Sequence, residues 1–266
     1  MPRSPLKAFF GFTRHPFPPA CPPEPLYRFP ALDAALDQAK NALASRLHVL
    51  VTAPPGFGKS SFLRLLETEL NPRDLRPIRI VGQGVGPLEV VQKLADQLGL
   101  DGSPRRAQAV KLFAAGLGRL AASGPLPVAL VDEAQKLPID AIDLVRLVAE
   151  ERTPPLAALV LAGDESLRRT LARPAHAALA GRFAARIRLG PLAEAETEAL
   201  VGHAFKSAGM QNVLAPTALA AVHAAAGGSP RGIGAILSRA LERALDKQSR
   251  LLTDEIVQEV LDERER

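Results

Sequence analysis

Apolar residues along the chain fall into two kinds of run, short continuous ones and longer ones with helical spacing. The short runs predict five strands, at 48–52, 77–81, 127–131, 156–162 and within 181–189. Between them, apolar positions recur every three or four residues, which predicts helices over 31–47, 60–70, 87–98, 104–122 and 139–151. Because strands alternate with helices, we expect an α/β fold with a parallel five-stranded sheet flanked by helices.

The pattern changes near residue 190, and only helical spacing follows. Helices are predicted over 193–208, 216–226, 231–247 and 253–264, and Thr253-Asp254 is typical of a helix N-cap. The sequence therefore predicts an α/β domain over 31–190, followed by a small all-helical domain over 191–266.

The first 30 residues form a segment rich in proline and phenylalanine. The prolines argue against a helix there. Five of the ten phenylalanines of the chain lie in this segment, namely Phe9, Phe10, Phe12, Phe17 and Phe29. A flexible tail leaves this clustering unexplained, so we expect an extended arm over 1–30 that packs on the folded protein.

A glycine-rich turn connects the first strand with the helix after it. It reads Ala53-Pro54-Pro55-Gly56-Phe57-Gly58-Lys59-Ser60-Ser61. Such a strand–turn–helix is the setting of a phosphate-binding loop, in which backbone N–H groups and the positive end of the helix face an anion. Lys59 would then reach the phosphates of a nucleotide and Ser60 would ligate Mg²⁺. The usual first glycine is Ala53 here, and the alternative is a turn that carries Lys-Ser by chance.

Two acidic residues, Asp132 and Glu133, follow the apolar run 127–131. An acidic pair after a strand is often only a helix N-cap. Downstream of a phosphate-binding loop it is typical of a nucleotidase, in which Asp132 would hold Mg²⁺, through water, opposite Ser60 and Glu133 would polarise the attacking water. The sequence thus predicts ATP and Mg²⁺ as cofactors.

Charge and composition narrow the possible partners only slightly. The net charge of +5 and the pI near 9.7 are compatible with a polyanion, but equally with solvated arginine-rich helix faces. Cys21 is the single cysteine, which excludes an intramolecular disulfide and fits a reducing cytoplasm. Since no apolar stretch is long enough to span a bilayer and no secretory signal is evident, we expect a cytoplasmic protein without a membrane partner.

The order of these motifs resembles that of AAA+ ATPases, in particular ExeA-type and transposon-associated ATPases (the TnsC, IstB and MuB-like group). Besides the phosphate loop and Asp132-Glu133-Ala134-Gln135, the resemblance rests on four segments, at 10–17, 163–168, 189–192 and 227–231. It implies a P-loop nucleotide-binding domain followed by a helical lid, and assembly into a homo-oligomeric ring or helical filament.

The resemblance also implies roles for three residues beyond the loop and the acidic pair. Arg231 matches the sensor-2 arginine, which touches the γ-phosphate from its own subunit. Arg182 matches the arginine finger given to a neighbouring subunit, with Arg186 as the alternative, and both could be plain surface charges. Asp164 stands at the sensor-1 position, where relatives often carry Gln or Asn. Either its carboxylate points away from the γ-phosphate, or hydrolysis is slow.

Three functions are compatible with this resemblance. The first is an ATP-dependent regulator of DNA transposition that oligomerises on duplex DNA and contacts a transposase. Its candidate DNA contacts are Lys93, Arg105, Arg106 and Lys111, and the alternative is that these residues are only solvated charges on helix faces. The second is a secretion-pathway ATPase of the ExeA kind, although ExeA continues into a membrane span and a cell-wall-binding domain that we do not expect here. The third is a nucleotide-gated assembly switch with little turnover.

Overall fold

The computed structural model describes residues 5–18, 26–82, 86–99, 106–210 and 213–264. The predictions for Cys21 and Arg105 fall outside these ranges, and so does the side chain of Arg106. The chain forms two compact units. One contains residues 30–55 and 59–189, and the other contains the N-terminal segment, the loop tip Gly56–Gly58 and residues 190–266.

The first unit is built on a five-stranded sheet whose strands are all parallel, as predicted. The strands are β1 (His48–Thr52), β2 (Leu75–Val81), β3 (Leu126–Asp132), β4 (Ala158–Gly163) and β5 (Phe183–Arg188), and they lie in the order β2-β3-β4-β1-β5. The central strands β1, β3 and β4 are buried at every position, because helices cover both faces. In the edge strand β5, buried and exposed side chains alternate.

Helices of this unit connect the strands. They are α2 (Pro30–Ala44), α3 (Lys59–Glu69), α4 (Pro87–Leu98), α5 (Arg106–Ser123), α6 (Ile139–Ala149), α7 (Glu165–Leu171) and α8 (Ala177–Ala180). The last two were not predicted separately. Apolar residues of α4 to α8 form one core with the sheet, mostly of Leu, Val, Ile and Ala side chains, and α2 and α3 bury further leucines.

The second unit is helical and has its own core. Its helices are α1 (Pro5–Phe10), α9 (Glu194–Ser207), α10 (Pro216–Ala226), α11 (Pro230–Asp246) and α12 (Asp254–Arg264). The expectation that the first 30 residues contain no helix is wrong for α1. Pro5 stands at its first position, where proline is tolerated, and no other proline falls within the helix.

The N-terminal segment contributes aromatic side chains to the helical core. Phe12 and Phe17 are buried, and the Phe17 ring meets Phe205 of α9 edge-on with centroids 5.2 Å apart. The backbone N–H of Thr13 donates to the Ala208 carbonyl at 2.9 Å. This segment is therefore held by apolar burial and by backbone hydrogen bonding.

Basic residues on α11 form ion pairs with acidic residues on α12. Arg239, Arg243 and Lys247 are spaced by four residues, and they face Glu263, Glu259 and Glu255 in antiparallel order. Exposed pairs of this kind add little stability each. They do mean that the positive charge of α11 is largely neutralised within the unit.

Within the part of the chain that the structure describes, none of the helices combines the length and the apolar character that a membrane crossing requires.

Candidate nucleotide-binding site

The glycine-rich turn leaves the carboxyl end of β1 and enters α3. Gly56 and Gly58 have φ angles of +89° and +84°, which favour glycine. Ala53 does not need such a φ angle. It is buried, and its N–H donates to the Gly163 carbonyl at 3.2 Å, so alanine replaces the usual glycine without strain.

Lys59 is the first residue of α3, and its side chain is buried. The ammonium donates to the carbonyl oxygens of Ala53 at 2.8 Å and Pro54 at 3.1 Å. These two carbonyls belong to the same loop and stabilise the positive charge. The arrangement keeps a cation beside the positive end of α3, where an anion binds favourably.

The loop tip belongs by its contacts to the helical unit. There, the Gly56 carbonyl accepts hydrogen bonds from the Arg231 backbone N–H at 3.2 Å and from the Ser229 hydroxyl at 3.3 Å. The Ser229 hydroxyl also caps α11 by accepting from Gly232 N–H. A Cβ added to Gly56 would lie 2.9 Å from the Ser229 oxygen, so this glycine is also required by space.

Asp132 ends β3, and its carboxylate is buried. Oδ1 accepts from the Glu133 backbone N–H at 3.0 Å, and Oδ2 accepts from Nη2 of Arg79 at 2.7 Å. The same Arg79 nitrogen lies 3.5 Å from the backbone carbonyl oxygen of Ser60. Arg79 was not predicted to be part of the site, and it places a cation between the two residues that were predicted to share a metal ion.

Glu133 has a left-handed backbone with φ of +54°, at the start of a short 3₁₀ turn. Its Oε2 is 3.1 Å from the Gln135 amide nitrogen and 3.0 Å from the Lys136 ammonium. The Gln135 oxygen in turn accepts from the Asp164 backbone N–H at 3.3 Å. Gln135 therefore links the Glu133 carboxylate to the carboxyl end of β4, a connection that the sequence analysis did not identify.

The Asp164 carboxylate is used locally as the N-cap of α7. It accepts hydrogen bonds from the backbone N–H and the hydroxyl of Ser166. Partial burial acts to raise the pKa of Asp164, but the hydrogen bonds from Ser166 and the positive charge of Lys59 outweigh it, so that the pKa lies below its ordinary value. Of the two alternatives left by the sequence, this geometry favours a carboxylate turned toward its own helix.

The donor set fits a magnesium ion held with a nucleotide. No group of three His, Cys, Asp or Glu side chains that could bind a metal alone occurs among the described residues. Mg²⁺ normally keeps several waters and uses one or two protein oxygens together with substrate phosphates. The buried Asp132 carboxylate, with the exposed Ser60 on the other side of the Arg79 cation, suits that requirement.

Arg182 lies at the amino ends of the strands, opposite to the ends that carry the loop and the acidic pair. It directly precedes Phe183, which pairs with His48 at the start of β1. Its side chain is 59% exposed, with Nε 3.6 Å from Oε2 of Glu150. Glu150 also accepts from Arg146 at 2.7 Å. Arg186, the alternative, is turned back to the Ala180 carbonyl at 2.8 Å.

His48 and Arg182 both line an open cleft of about 460 Å³, and Arg46 and Arg152 line it as well. The His48 Nδ1 accepts the Leu159 backbone N–H at 3.3 Å, and Nε2 lies 3.2 Å from Oε1 of Glu150 without the alignment of a hydrogen bond. Burial lowers the pKa of His48, against the opposing effect of Glu150.

The remaining predicted residues are surface cations on two helices that pack together. Lys93 on α4 is 44% exposed and pairs with Glu89 at 3.3 Å, and Lys111 on α5 is exposed. The DNA-contact and arginine-finger roles stay predictions, as do those of Arg231 and the loop residues.

Comparisons with known proteins match part of the first unit to a domain family. Residues 43–171 match the family model of the AAA domain. The chain is 31% identical over 247 residues to General secretion pathway protein A of Aeromonas hydrophila, which covers 91% of this chain and 45% of that protein. It thus spans less than half of the length of this curated relative.

Solved structures show the same fold at low sequence identity. The ORC1 protein of Aeropyrum pernix in complex with DNA matches with a TM-score of 0.67 and 19% identity, over 90% of this chain and 66% of that one. Cdc6p of Pyrobaculum aerophilum matches with a TM-score of 0.73 and 18% identity, over 93% of this chain and 70% of that one.

The RuvB Holliday junction branch migration motor of Thermotoga maritima matches with a TM-score of 0.56 and 16% identity, over 87% of this chain and 67% of that one. None of these matches is to a transposon-associated protein, so that narrower resemblance is not confirmed. Residues 43–171 thus match the AAA domain family, and the chain shares the P-loop AAA+ fold of these solved structures.

Proposed function

We propose that the protein binds ATP with Mg²⁺ at the loop Ala53–Ser61 and hydrolyses it. The observation that carries this proposal is the convergence of Lys59, Asp132 and Glu133 at one edge of the sheet. Thr52 pairs with Gly163 and Val131 pairs with Leu161, so the residues that follow these strands share the carboxyl edge, where ligands bind in such sheets.

Each residue at this edge has a distinct role in the proposal. The Lys59 ammonium leaves the Ala53 and Pro54 carbonyls for the phosphate oxygens. Ser60 and Asp132 hold the magnesium, which neutralises phosphate charge when bound. Glu133 orients a water molecule and accepts its proton, and the Gln135 amide keeps that carboxylate in place. Arg231 contributes a further positive charge from the lid, as the resemblance implies.

We propose further that Arg182 acts on the nucleotide of a neighbouring copy in a ring or filament. Five residues of strand β1 separate the Arg182 edge from the loop, a length of about 16 Å at 3.3 Å per residue. An exposed arginine at that distance is outside the reach of its own phosphates. A homo-oligomer is therefore part of the function.

The assembled protein is proposed to bind duplex DNA and to act with a transposase. Three observations support DNA as a partner: the basic net charge, the exposed Lys93 and Lys111, and the fold shared with the DNA-bound ORC1 protein and the RuvB Holliday junction motor. The alternative, a secretion-pathway ATPase, is supported by the similarity to General secretion pathway protein A.

A DNA-binding measurement separates these functions. Anisotropy of a labelled duplex should rise with the protein and a non-hydrolysable ATP analogue, and the effect should weaken as salt is raised. Glu133→Gln should bind DNA with ATP itself and hold it unhydrolysed. Lys59→Ala, the control that cannot bind nucleotide, should show no rise.

Two outcomes would change the proposal. Nucleotide binding without any DNA binding at low salt would reject the DNA function and favour the secretion-pathway alternative or an assembly switch. Unaltered ATP turnover in Glu133→Gln would reject the role assigned to that carboxylate.

A further inference from the structure

Arg79 forms the shortest contact between a cation and the predicted metal ligands. Its Nη2 is 2.7 Å from Oδ2 of Asp132 and 3.5 Å from the carbonyl oxygen of Ser60. Arg79 lies on β2, and Val81 and Asp132 are paired across the β2–β3 ladder, so this contact joins the ends of two adjacent strands. A guanidinium is charged at every accessible pH.

The Asp132 carboxylate needs such a partner when no metal is bound. Its side chain is 5% exposed, and its other oxygen accepts from a neutral backbone N–H of Glu133. A buried carboxylate without a counter-ion is strongly destabilising. The Arg79 side chain itself is 24% exposed and therefore has an open path to solvent.

We propose that Arg79 is an internal counter-ion that occupies the metal position beside Asp132 and leaves it when magnesium binds with the nucleotide. The inference rests on the proposed function for its nucleotide-bound state. In the nucleotide-free protein, the Arg79 guanidinium is the counter-ion of the buried Asp132 carboxylate. Binding would then exchange Arg79 for the metal ion as the cation that neutralises Asp132, which makes the site selective for nucleotide that brings its own metal ion.

The exchange predicts that removal of Arg79 strengthens metal binding. Mn²⁺ is the probe, because its free and bound forms differ in electron paramagnetic resonance and it accepts the same oxygen ligands. We expect Arg79→Gln in the full chain to bind Mn²⁺ about tenfold more tightly than the wild type, since a neighbouring positive charge is lost. The matched control is Arg76→Gln, which removes an exposed charge from the same strand and should leave Mn²⁺ affinity unchanged.

The experiment has two arms, without nucleotide and with a fluorescent ATP analogue. With the analogue, the half-saturating Mg²⁺ concentration should fall about tenfold in Arg79→Gln for the same reason. A second readout is the melting temperature, which should be lower in the metal-free variant and rise more on Mg²⁺–nucleotide addition than in the wild type. If Arg79→Gln does not fold, Arg79→Met keeps the length of the stem and removes the charge.

The arms separate failure of this inference from failure of the proposed function. A wild type that binds no analogue contradicts the nucleotide proposal, and the melting temperature of metal-free Arg79→Gln, compared with Arg76→Gln, then still tests whether Arg79 offsets the buried Asp132 charge. Mn²⁺ affinity that is unchanged or weaker in both Arg79 variants would overturn the inference, as it would show that Arg79 supports the metal position rather than competing for it.

Discussion

Substitution of Phe12 by alanine should destabilise the helical unit severely. Its side chain is 3% exposed and lies in the core that α9 to α12 share. Removing a buried phenylalanine ring costs about 3–5 kcal/mol. A domain is commonly stable by about 5–15 kcal/mol, so one residue near the N-terminus would remove about a fifth or more of the stability of this unit.

Urea denaturation followed by circular dichroism measures this loss, and hydrogen exchange locates it. Phe9→Ala is the matched control, because the Phe9 ring is only partly buried, against Phe10 at 4.9 Å and Arg250 at 5.8 Å. We expect it to cost about 1 kcal/mol. Equal losses in the two variants, or lost protection in the sheet rather than in α9–α12, would refute the reasoning.

Three further predictions concern the sheet and the site. Acid should destabilise the α/β unit as the pH falls below about 6.5, because the pKa of His48 is lower in the folded protein and the unfolded chain therefore binds a proton first. The urea midpoint of His48→Phe should depend less on pH than that of the wild type, and an equal pH dependence would contradict the role of His48. Gly58→Ala should lower the free energy of unfolding by about 1–2 kcal/mol, because the backbone at Gly58 is left-handed. Gly56→Ala should lower it by about 1 kcal/mol more, because the added Cβ displaces the Ser229 hydroxyl that caps α11. Equal urea midpoints of the two variants would argue against the cap contact. Arg182→Ala should lower the ATPase rate about 10³-fold in assemblies and have no effect in dilute monomer, where an equal loss would exclude action on a neighbour.

Local patterns were sufficient to predict the sheet and the loop. A central strand such as β3 is a run of apolar residues bounded by Gly124 and by the acidic pair, and that boundary is visible in the sequence. Gly56, Gly58 and Lys59 are similarly local, because the turn and the start of the helix lie within four residues. The fold follows from the order of such elements.

Contacts between elements could not be predicted in the same way. Arg79 and Asp132 are 53 residues apart, and only the parallel register of β2 and β3 brings them together. Gln135 stood inside a recognised motif, yet its contact with Asp164 depends on the position of β4. The ion pairs between α11 and α12 are different, because the sequence indicates them: basic residues recur every four positions in α11, and acidic residues do so in α12.

The candidate chemistry lies at the two opposite ends of the parallel strands. Lys59, Asp132 and Glu133 lie at the carboxyl edge, and Arg182 lies at the amino edge beside Glu150. All five strands run in one direction, so the backbone at their amino ends is separated from the loop by the length of a strand, about 16 Å, which is more than an arginine side chain spans. A copy of the protein that hydrolyses ATP with the help of Arg182 must therefore take it from another copy. The Arg182 side chain is largely exposed and can therefore reach a neighbouring copy. The positive charges of α11, in contrast, are paired with acidic residues of α12 in their own unit.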